Sequence, residues 1–292
     1  MEPKAGQPTF IRQRFLLSFL RQLKESVSAT DLQKLIFLNV IREGSNYYEF
    51  VPYKFGSYSF RLAEDLDILH RDGFISRHID QGSTKYRAVG DHPVEKRHQI
   101  CSKRGNELIR LAYREYPYYA MKSEIIDRLF SGEELKQIRQ IQHSYTHNEQ
   151  VLFTIGYEGK SLEAFLNTLI LKDVRLLCDV RRNPLSRKFG FSKKKLQGIT
   201  NTLGIKYRHI PDLGIAANLR GSLNSEPDYK RLFHDYAVSL ADKHSSLDEV
   251  LELLEQHTRI ALMCYELDPR MCHRHVVSDY LARRHQIKSG DL

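Results

Sequence analysis

The second half of the chain alternates short strand-like runs with helical patterns, and this alternation constrains the fold more than any other feature. The predicted strands are 151–159, which runs into a glycine turn, 174–180, 205–211 and 259–264. Helical apolar spacing fills the intervals between them. Strands that alternate with helices favour a mainly parallel sheet with helices on both faces. The predicted fold class of this half is therefore α/β.

Polar side chains follow each of the four predicted strands. The segments are Gly156–Gly159, Asp179–Arg182, His209–Asp212 and Cys264–Arg274. In a parallel sheet the carboxyl ends of the strands meet at one edge, and ligands bind beyond that edge. The sequence therefore predicts one polar site formed by four loops.

The first half has a different pattern, in which three amphipathic helices precede a basic hairpin. The predicted helices are 10–23, 30–44 and 60–75, and two short strands over 75–89 surround a turn at Gln81-Gly82-Ser83. This is the order of elements in a winged helix. We predict a winged-helix-like module over 1–130, a helical linker over 131–149 and an α/β domain over 150–292.

The charge of the chain favours a polyanionic partner. The net charge is +9, and both halves contribute, with 23 Lys and Arg against 19 Asp and Glu in residues 1–150 and 22 against 17 in 151–292. A basic protein without a basic tail is typical of nucleic-acid or nucleotide binding, although ordinary surface charge is the alternative. We expect nucleic acid, with DNA favoured, or a nucleotide.

Membrane association and secretion are not expected. The sequence has no run near the ~20 apolar residues that span a bilayer, and its N-terminus lacks the apolar region of a signal peptide. Its four cysteines do not form a disulfide framework and fit a reducing compartment. We therefore expect a cytoplasmic protein with no membrane contact.

Four motifs of the second half resemble a known family. They are TIGYEGKSLEAF, CDVRRNPLSRKFGFSKKKL, LGIKYRHIPDLG and LMCYELDPRMCHRHVVSDYL. Together they make about 150–285 similar to domain of unknown function family 488. The resemblance implies an α/β fold and a site around the Asp-Val-Arg motif at 179–181 and the Cys-His-Arg motif at 272–274. It implies no particular reaction.

The first half is similar to the Panacea domain of antitoxin- and phage-associated proteins. LQKLIFLN and YKFGSYSFRLAEDLDILHRDGFI carry the resemblance. Ser57 stands where that family usually has Pro. The resemblance implies a helical, winged-helix-like module that serves regulation or binds a protein partner.

The cysteines of the last motif permit several interpretations. Cys264 and Cys272 lie eight residues apart, and no second ligand pair matches the spacing of a compact zinc site. Cys264-x5-Arg270 has the spacing of thiolate phosphatases, but its loop is bulky and acidic, unlike loops whose amides bind an anion. Cys272, His273 and Arg274 begin a helix, where the dipole favours an anion and lowers a thiol pKa. Alternatively, His273 and Arg274 only tie the helix to nearby acids.

The loop after the second strand is strongly basic. Residues 181–195 contain seven Arg and Lys and no acid. Arg181 and Arg187 are candidate phosphate ligands because their loop follows a buried strand. The Lys193–Lys195 run is more typical of a solvated helix face.

Carboxylates and aromatic residues complete the candidate site. Asp179 and Glu266 could divide acid and base roles, as in glycosidic-bond cleavage, or Asp179 could pair structurally with Arg181. Tyr157 and Tyr207 could stack on a base or belong to the core. Gly156 begins a turn that allows a ligand to approach the backbone, without a dinucleotide fingerprint.

Two functions fit these observations. The first is a hydrolytic enzyme that acts on nucleic acid or a nucleotide, at a base or glycosidic bond. The second is a non-enzymatic DNA-binding regulator or a defence-associated sensor of modified nucleic acid. Neither requires a metal or cofactor, and we predict none. The candidate catalytic residues are Asp179, Glu266, Cys272 and His273, and the candidate binding residues are Gly156, Tyr157, Arg181, Arg187, Tyr207 and Arg274.

Overall fold

The chain forms two compact units. The computed structural model describes residues 6–90, 94, 96–215 and 225–292, and the division between the units falls after Ser144. The helix Gly132–Ser144, which the sequence assigns to a linker, lies within the first unit. Its Ile138 is buried in a small core with Ile109 and Phe130.

The first unit combines helices with an antiparallel sheet. Its elements are α1 (Ile11–Leu23), β1 (Val27–Ser28), α2 (Ala29–Glu43), β2 (Val51–Tyr53), β3 (Gly56–Tyr58), α3 (Phe60–Arg71), β4 (Ile75–Asp80), β5 (Ser83–Ala88), α4 (Gly105–Glu115), α5 (Ile126–Leu129) and α6 (Gly132–Ser144). β2 pairs with β3, and a separate three-stranded sheet has the order β1-β5-β4. The hairpin predicted over 75–89 therefore forms, and a short strand from between α1 and α2 extends it.

A local contact marks the start of α2, and a distant one marks the start of α4. Ser28 caps α2, because its hydroxyl accepts a hydrogen bond from the Asp31 amide at 3.0 Å. The N-cap residue of α4 is Arg104, whose side chain makes no capping hydrogen bond. The Asp31 carboxylate accepts a hydrogen bond from the Gly105 amide at 2.8 Å. A contact distant in sequence thus sets the start of α4.

The second unit is the predicted α/β domain with a parallel sheet. Its elements are β6 (Val151–Gly156), α7 (Leu162–Leu171), β7 (Leu176–Asp179), α8 (Lys193–Thr202), β8 (Lys206–His209), α9 (Glu226–Ser239), α10 (His244–His257), β9 (Arg259–Cys264), α11 (His273–His285) and β10 (Ser289–Asp291). All strand pairs are parallel, in the order β10-β6-β9-β7-β8. Ser161 caps α7, because its hydroxyl accepts a hydrogen bond from the Ala164 amide at 3.0 Å.

The sheet has one strand more than the four predicted. β10 pairs with the edge of β6 through Ser289 to Asp291. Its polar, glycine-containing sequence carries no strand signal. The central strands are buried along their whole length, which explains the apolar sequences of β6 and β9.

No helix among the residues that the structure describes is both long enough and apolar enough to cross a membrane.

Candidate functional site

The carboxyl ends of four neighbouring strands form one edge of the sheet. Gly156 at the end of β6 is paired with Cys264 at the end of β9. Asp179 at the end of β7 is paired with Met263 on one side and with His209 on the other. The loops that follow these strands therefore emerge side by side, and they carry most of the candidate site residues.

Asp179 is fully buried and held by Arg181. One carboxylate oxygen accepts from the Arg181 amide at 3.1 Å and from its Nε at 2.8 Å, and the other accepts from Nη2 at 2.6 Å. The Tyr207 hydroxyl donates to that second oxygen. Burial and the Asp179 charge raise the pKa of Tyr207. This geometry favours the structural alternative for Asp179, a carboxylate that orients an arginine, over an acid–base role.

Arg181 in turn fixes the loop that follows β7. Its side chain donates to the Tyr157 hydroxyl at 2.9 Å and to the Phe191 carbonyl at 3.0 Å. Tyr157 is buried, and its ring stacks on Phe191 with centroids 4.2 Å apart. One face of Tyr157 is thus already covered by protein. The core alternative accounts for Tyr157, and Arg181 is engaged mainly by protein groups.

Two cysteines and a histidine meet at the end of β9. The Cys264 Sγ lies 3.8 Å from the His273 Nδ1, and the Cys272 Sγ lies 4.0 Å from the same nitrogen. All three residues are about 1% exposed, and their ligand atoms lie within 4.8 Å of one another. Spacing in sequence separates the cysteines, but a turn at Pro269–Met271 returns the chain to the strand end.

The surroundings of these two thiols shift their pKa values in opposite directions. Hydrogen bonding with Cys272 and burial raise the pKa of Cys264 well above its ordinary value. Burial also raises the pKa of Cys272, but hydrogen bonds with Cys264 and His273 outweigh it and lower that pKa. Of the two sulfurs, Cys272 is therefore the one more readily present as thiolate.

Glu266 borders this cluster. Its Oε2 lies 3.3 Å from the Cys264 Sγ. Burial, followed by the nearby Cys272 sulfur, raises the pKa of Glu266 above its usual range. A carboxyl group in such surroundings holds a proton to higher pH than an exposed one, as a general acid must.

Gly156 and Arg274 hold the loop that carries Glu266. A Cβ at Gly156 would lie only 1.8 Å from the Glu266 carbonyl oxygen. The Arg274 guanidinium donates to the carbonyls of Glu266 at 2.6 Å and Leu267 at 3.0 Å, and to the Thr154 hydroxyl at 3.2 Å. The group that approaches the Gly156 backbone closely is thus the loop that carries Glu266, where a ligand was expected. Arg274 is 1% exposed and ties its helix to this loop through carbonyl groups, not through the carboxylates that the helix-tying alternative names.

A cavity opens beside this cluster. Its volume is about 430 Å³. Its lining comprises Tyr157, Arg181, Arg182, Asn183, Leu185, Ser186, Ile215, Cys264 and Tyr265. Three of these lining residues were not predicted as site residues from the sequence, although their basic loop was predicted to bind phosphate: Arg182, Asn183 and Ser186. Arg187, which was singled out, lies exposed in the same loop.

A second cavity of about 620 Å³ shares Arg182 and Ile215 with the first. At the wall of this cavity, the backbones of Gly214 and Arg182 pack closely. Only glycine fits there, because a Cβ on residue 214 would lie 2.3 Å from the Arg182 amide nitrogen. Arg182 also donates to Asp212 at 3.0 Å. The two cavities together follow the loops after β7 and β8.

The fold defines a class, an α/β domain with a five-stranded parallel sheet, and polar and thiol side chains gather at the carboxyl edge of that sheet. The family model of domain of unknown function DUF488 matches residues 161–281. The resemblance predicted from the motifs is thereby confirmed over that range. The chain matches no curated protein and no solved structure. Nothing in these comparisons supports similarity of the first half to the Panacea domain, which stays a prediction.

Proposed function

We propose that the second unit is the catalytic domain of a hydrolytic enzyme that acts on a nucleotide or nucleic acid, at a base or glycosidic bond. The observation that carries this proposal is the cavity at the sheet edge. It joins a basic loop to a buried thiol, with an acid and an imidazole beside that thiol. Its volume of about 430 Å³ falls within the range of small-ligand sites.

The polar groups of the cavity suit a phosphorylated ligand. Arg182 lines the cavity, and Arg187 lies outside its lining in the same loop; both are exposed, whereas Arg181 and Arg274 are buried and bound to protein. Ser186 and Asn183 add neutral hydrogen-bonding groups at the cavity wall. Arginine suits phosphate because its planar guanidinium donates two parallel hydrogen bonds. We therefore assign phosphate contacts to Arg182 and Arg187.

The reacting end of the ligand would lie near Cys264, where Glu266 is within reach. Glu266 is held by its own loop, which Gly156 and Arg274 fix against β6. A positioned carboxyl group can donate a proton to a leaving base and later accept one from water. We assign this role to Glu266 rather than to Asp179, whose two oxygens already accept four hydrogen bonds.

We also infer that the first unit is a winged-helix-like module. The order α1, β1, α2, α3 and a β4–β5 hairpin, with the sheet order β1-β5-β4, supports this topology. In such modules the helix before the hairpin usually contacts DNA. Here α3 exposes Asp67, which pairs with Arg77 of the hairpin at 2.7 Å. An acid at this position favours a protein partner over DNA for this surface.

The activity is tested by incubating the protein with plain and base-modified DNA, RNA and nucleotides, followed by mass spectrometry of released bases. We expect a released base from at least one substrate. Glu266→Gln should lower turnover by about 10²–10⁴-fold, because general acid–base catalysis contributes that much, and should leave affinity within a factor of two or so of wild type.

Binding gives a second readout. Arg187→Ala should weaken binding uniformly across sequences and reduce the salt dependence of affinity by about one phosphate contact. Lys172→Ala is the matched control, because Lys172 is exposed and precedes β7, at the opposite edge of the sheet. Binding without any product would reject the enzyme and leave the alternative, a regulator or sensor. Absence of both binding and product would reject the proposal entirely.

A further inference from the structure

We propose that Cys264, Cys272 and His273 bind a soft divalent cation, with zinc the best fit, at the carboxyl end of β9. The proposal concerns a metal site and does not depend on the hydrolytic activity proposed above. The two cysteines are eight residues apart in the sequence, which is not the spacing of a compact zinc site. The proposal depends on the folded loop, which brings the two thiols together.

The distances between the three ligand atoms are close to those of a tetrahedral zinc site, and each needs to shorten only slightly. With Zn–S near 2.3 Å and Zn–N near 2.0–2.1 Å, neighbouring ligand atoms of a tetrahedral site lie about 3.5–3.8 Å apart. The observed separations from the His273 Nδ1 are 3.8 Å to the Cys264 Sγ and 4.0 Å to the Cys272 Sγ. The largest separation within the triad is at most 4.8 Å. Side-chain rotations alone can close such gaps.

The orientation of His273 is a second, independent observation. Its Nε2 lies 3.1 Å from the Val180 carbonyl oxygen. A carbonyl can only accept, so Nε2 carries a hydrogen. In the neutral imidazole, which is the form that binds a metal, Nδ1 then presents its lone pair to the two sulfurs. Metal-binding histidines are typically held in this way, with the other ring nitrogen donating to a carbonyl or carboxylate. The Tyr236 ring, edge-on at 5.7 Å, further restricts the imidazole.

The three ligands come from rigid parts of the fold. Cys264 ends a strand that is buried throughout, and Cys272 and His273 begin α11. In the described residues this is the one group of three or more His, Cys, Asp or Glu side chains that meets the geometry of a metal site. Two thiolates and one imidazole form the donor set of zinc sites that keep a fourth position open. Cys264 also lines the cavity of about 430 Å³, from which a fourth ligand could enter.

The test measures the metal directly. The full chain is purified without a polyhistidine tag and with a phosphine reductant, and its metal content is measured by mass spectrometry before and after dialysis against zinc. We expect about one zinc per chain. The metal-free protein titrated with Co²⁺ should develop thiolate-to-cobalt charge-transfer absorption, which reports cysteine ligands without any substitution.

Variants assign the ligands. Cys272→Ser and His273→Ala should each weaken zinc binding by more than the roughly 10- to 100-fold typical when only a supporting contact is lost. Cys101→Ser is the control, because Cys101 is a free cysteine of the first unit, and it should bind zinc as wild type does. Circular dichroism checks that each variant is folded. Absence of both retained zinc and cobalt–thiolate absorption in the reduced wild-type protein would overturn the proposal, whatever the result of the activity assay.

Discussion

Each unit buries one carboxylate in a similar set of hydrogen bonds, yet the two networks differ in what surrounds them. In the first unit Asp65 accepts from Arg12 at 2.7 Å, from Gln13 at 2.7 Å and from the Tyr48 hydroxyl at 3.1 Å. In the second unit Asp179 accepts from an arginine and a tyrosine in the same way. Both aspartates are fully buried.

The difference lies in sequence separation and location. Asp65 joins α3 to α1 across more than 50 residues, whereas Asp179 binds the arginine two residues later. The Arg181 of the second network also lines a cavity beside two thiols and an imidazole. A buried carboxylate–arginine pair is thus a device of the fold in both units. The functional indication comes from the neighbouring groups, not from the pair.

The largest effect is expected for Asp179→Asn. Its loss leaves the Arg181 charge buried without a counter-ion, which typically costs about 3–5 kcal/mol. We expect the free energy of unfolding of the second unit to fall by this amount. The measurement is urea unfolding, monitored by hydrogen exchange of peptides from the second unit. Asp212→Asn is the control. It breaks the exposed pair with Arg182 and should cost no more than about 1 kcal/mol. Equal effects of the two changes would contradict the structural role of Asp179.

A buried cation without a bonded carboxylate extends the comparison. Lys34 is 2% exposed and donates to the Ser57 carbonyl at 3.1 Å. Burial lowers the pKa of Lys34 to about 7, with the Asp31 charge opposing the shift. Between pH 7 and the ordinary lysine pKa, the unfolded chain binds the proton more tightly than the folded one. The stability contribution of this group therefore rises with pH.

The expected contribution of Lys34 to the free energy of unfolding of the first unit rises by about 3 kcal/mol between pH 7 and pH 10. Lys34→Met removes this titration, so its stability should rise less over the same range. The measurement is urea denaturation of both proteins at several pH values. Parallel pH profiles for the wild type and the variant would show that Lys34 does not titrate in this window.

Asp65→Asn tests the first network and should have a smaller effect than Asp179→Asn. The Arg12 side chain is 24% exposed, so water can partly solvate its charge once the carboxylate is gone. We expect a loss of about 2–3 kcal/mol in the unfolding of the first unit. A loss larger than that of Asp179→Asn would reverse the order that solvent exposure predicts.

A steric change at Gly156 tests how firmly the loop that carries Glu266 is held. In Gly156→Ala the added Cβ would lie 1.8 Å from the Glu266 carbonyl oxygen, so backbone must move, and overpacking costs about 1–3 kcal/mol or more. Gly198→Ala is the control, because α8 leaves open space at that position, and it should be stabilising by about 0.5–1 kcal/mol. Thermal unfolding distinguishes them. A Gly156→Ala protein as stable as the wild type would show that the Glu266 loop can move away from β6.

Much of the second unit could be predicted from the sequence. β9 forms over the predicted residues 259–264, and the loops after four strands do emerge at one edge. β10 could not be predicted, since Ser289-Gly290-Asp291 has no strand propensity. It is a strand because the free edge of β6, which pairs with β9 on its other side, offers backbone groups that a second partner can satisfy.

The candidate site was predictable in position but not in detail. The sequence placed Cys264, Cys272 and His273 at one edge, whereas their mutual distances depend on the turn at Pro269–Met271. It could not tell which arginines are buried. Arg181 and Arg274 were singled out, yet protein groups bind both, while Arg182 lines both cavities.

By itself the sequence determined the alternation of strands and helices, the direction of the strands and hence the edge at which the polar loops gather. These follow from apolar periodicity, which each segment carries locally. Only the tertiary structure decided which charged groups are neutralised by protein and which face a cavity. The partners of a buried charge lie in other segments, and burial makes a nearby partner necessary without saying which one. The distances that bring the two thiols and one imidazole together are likewise set only by the tertiary structure.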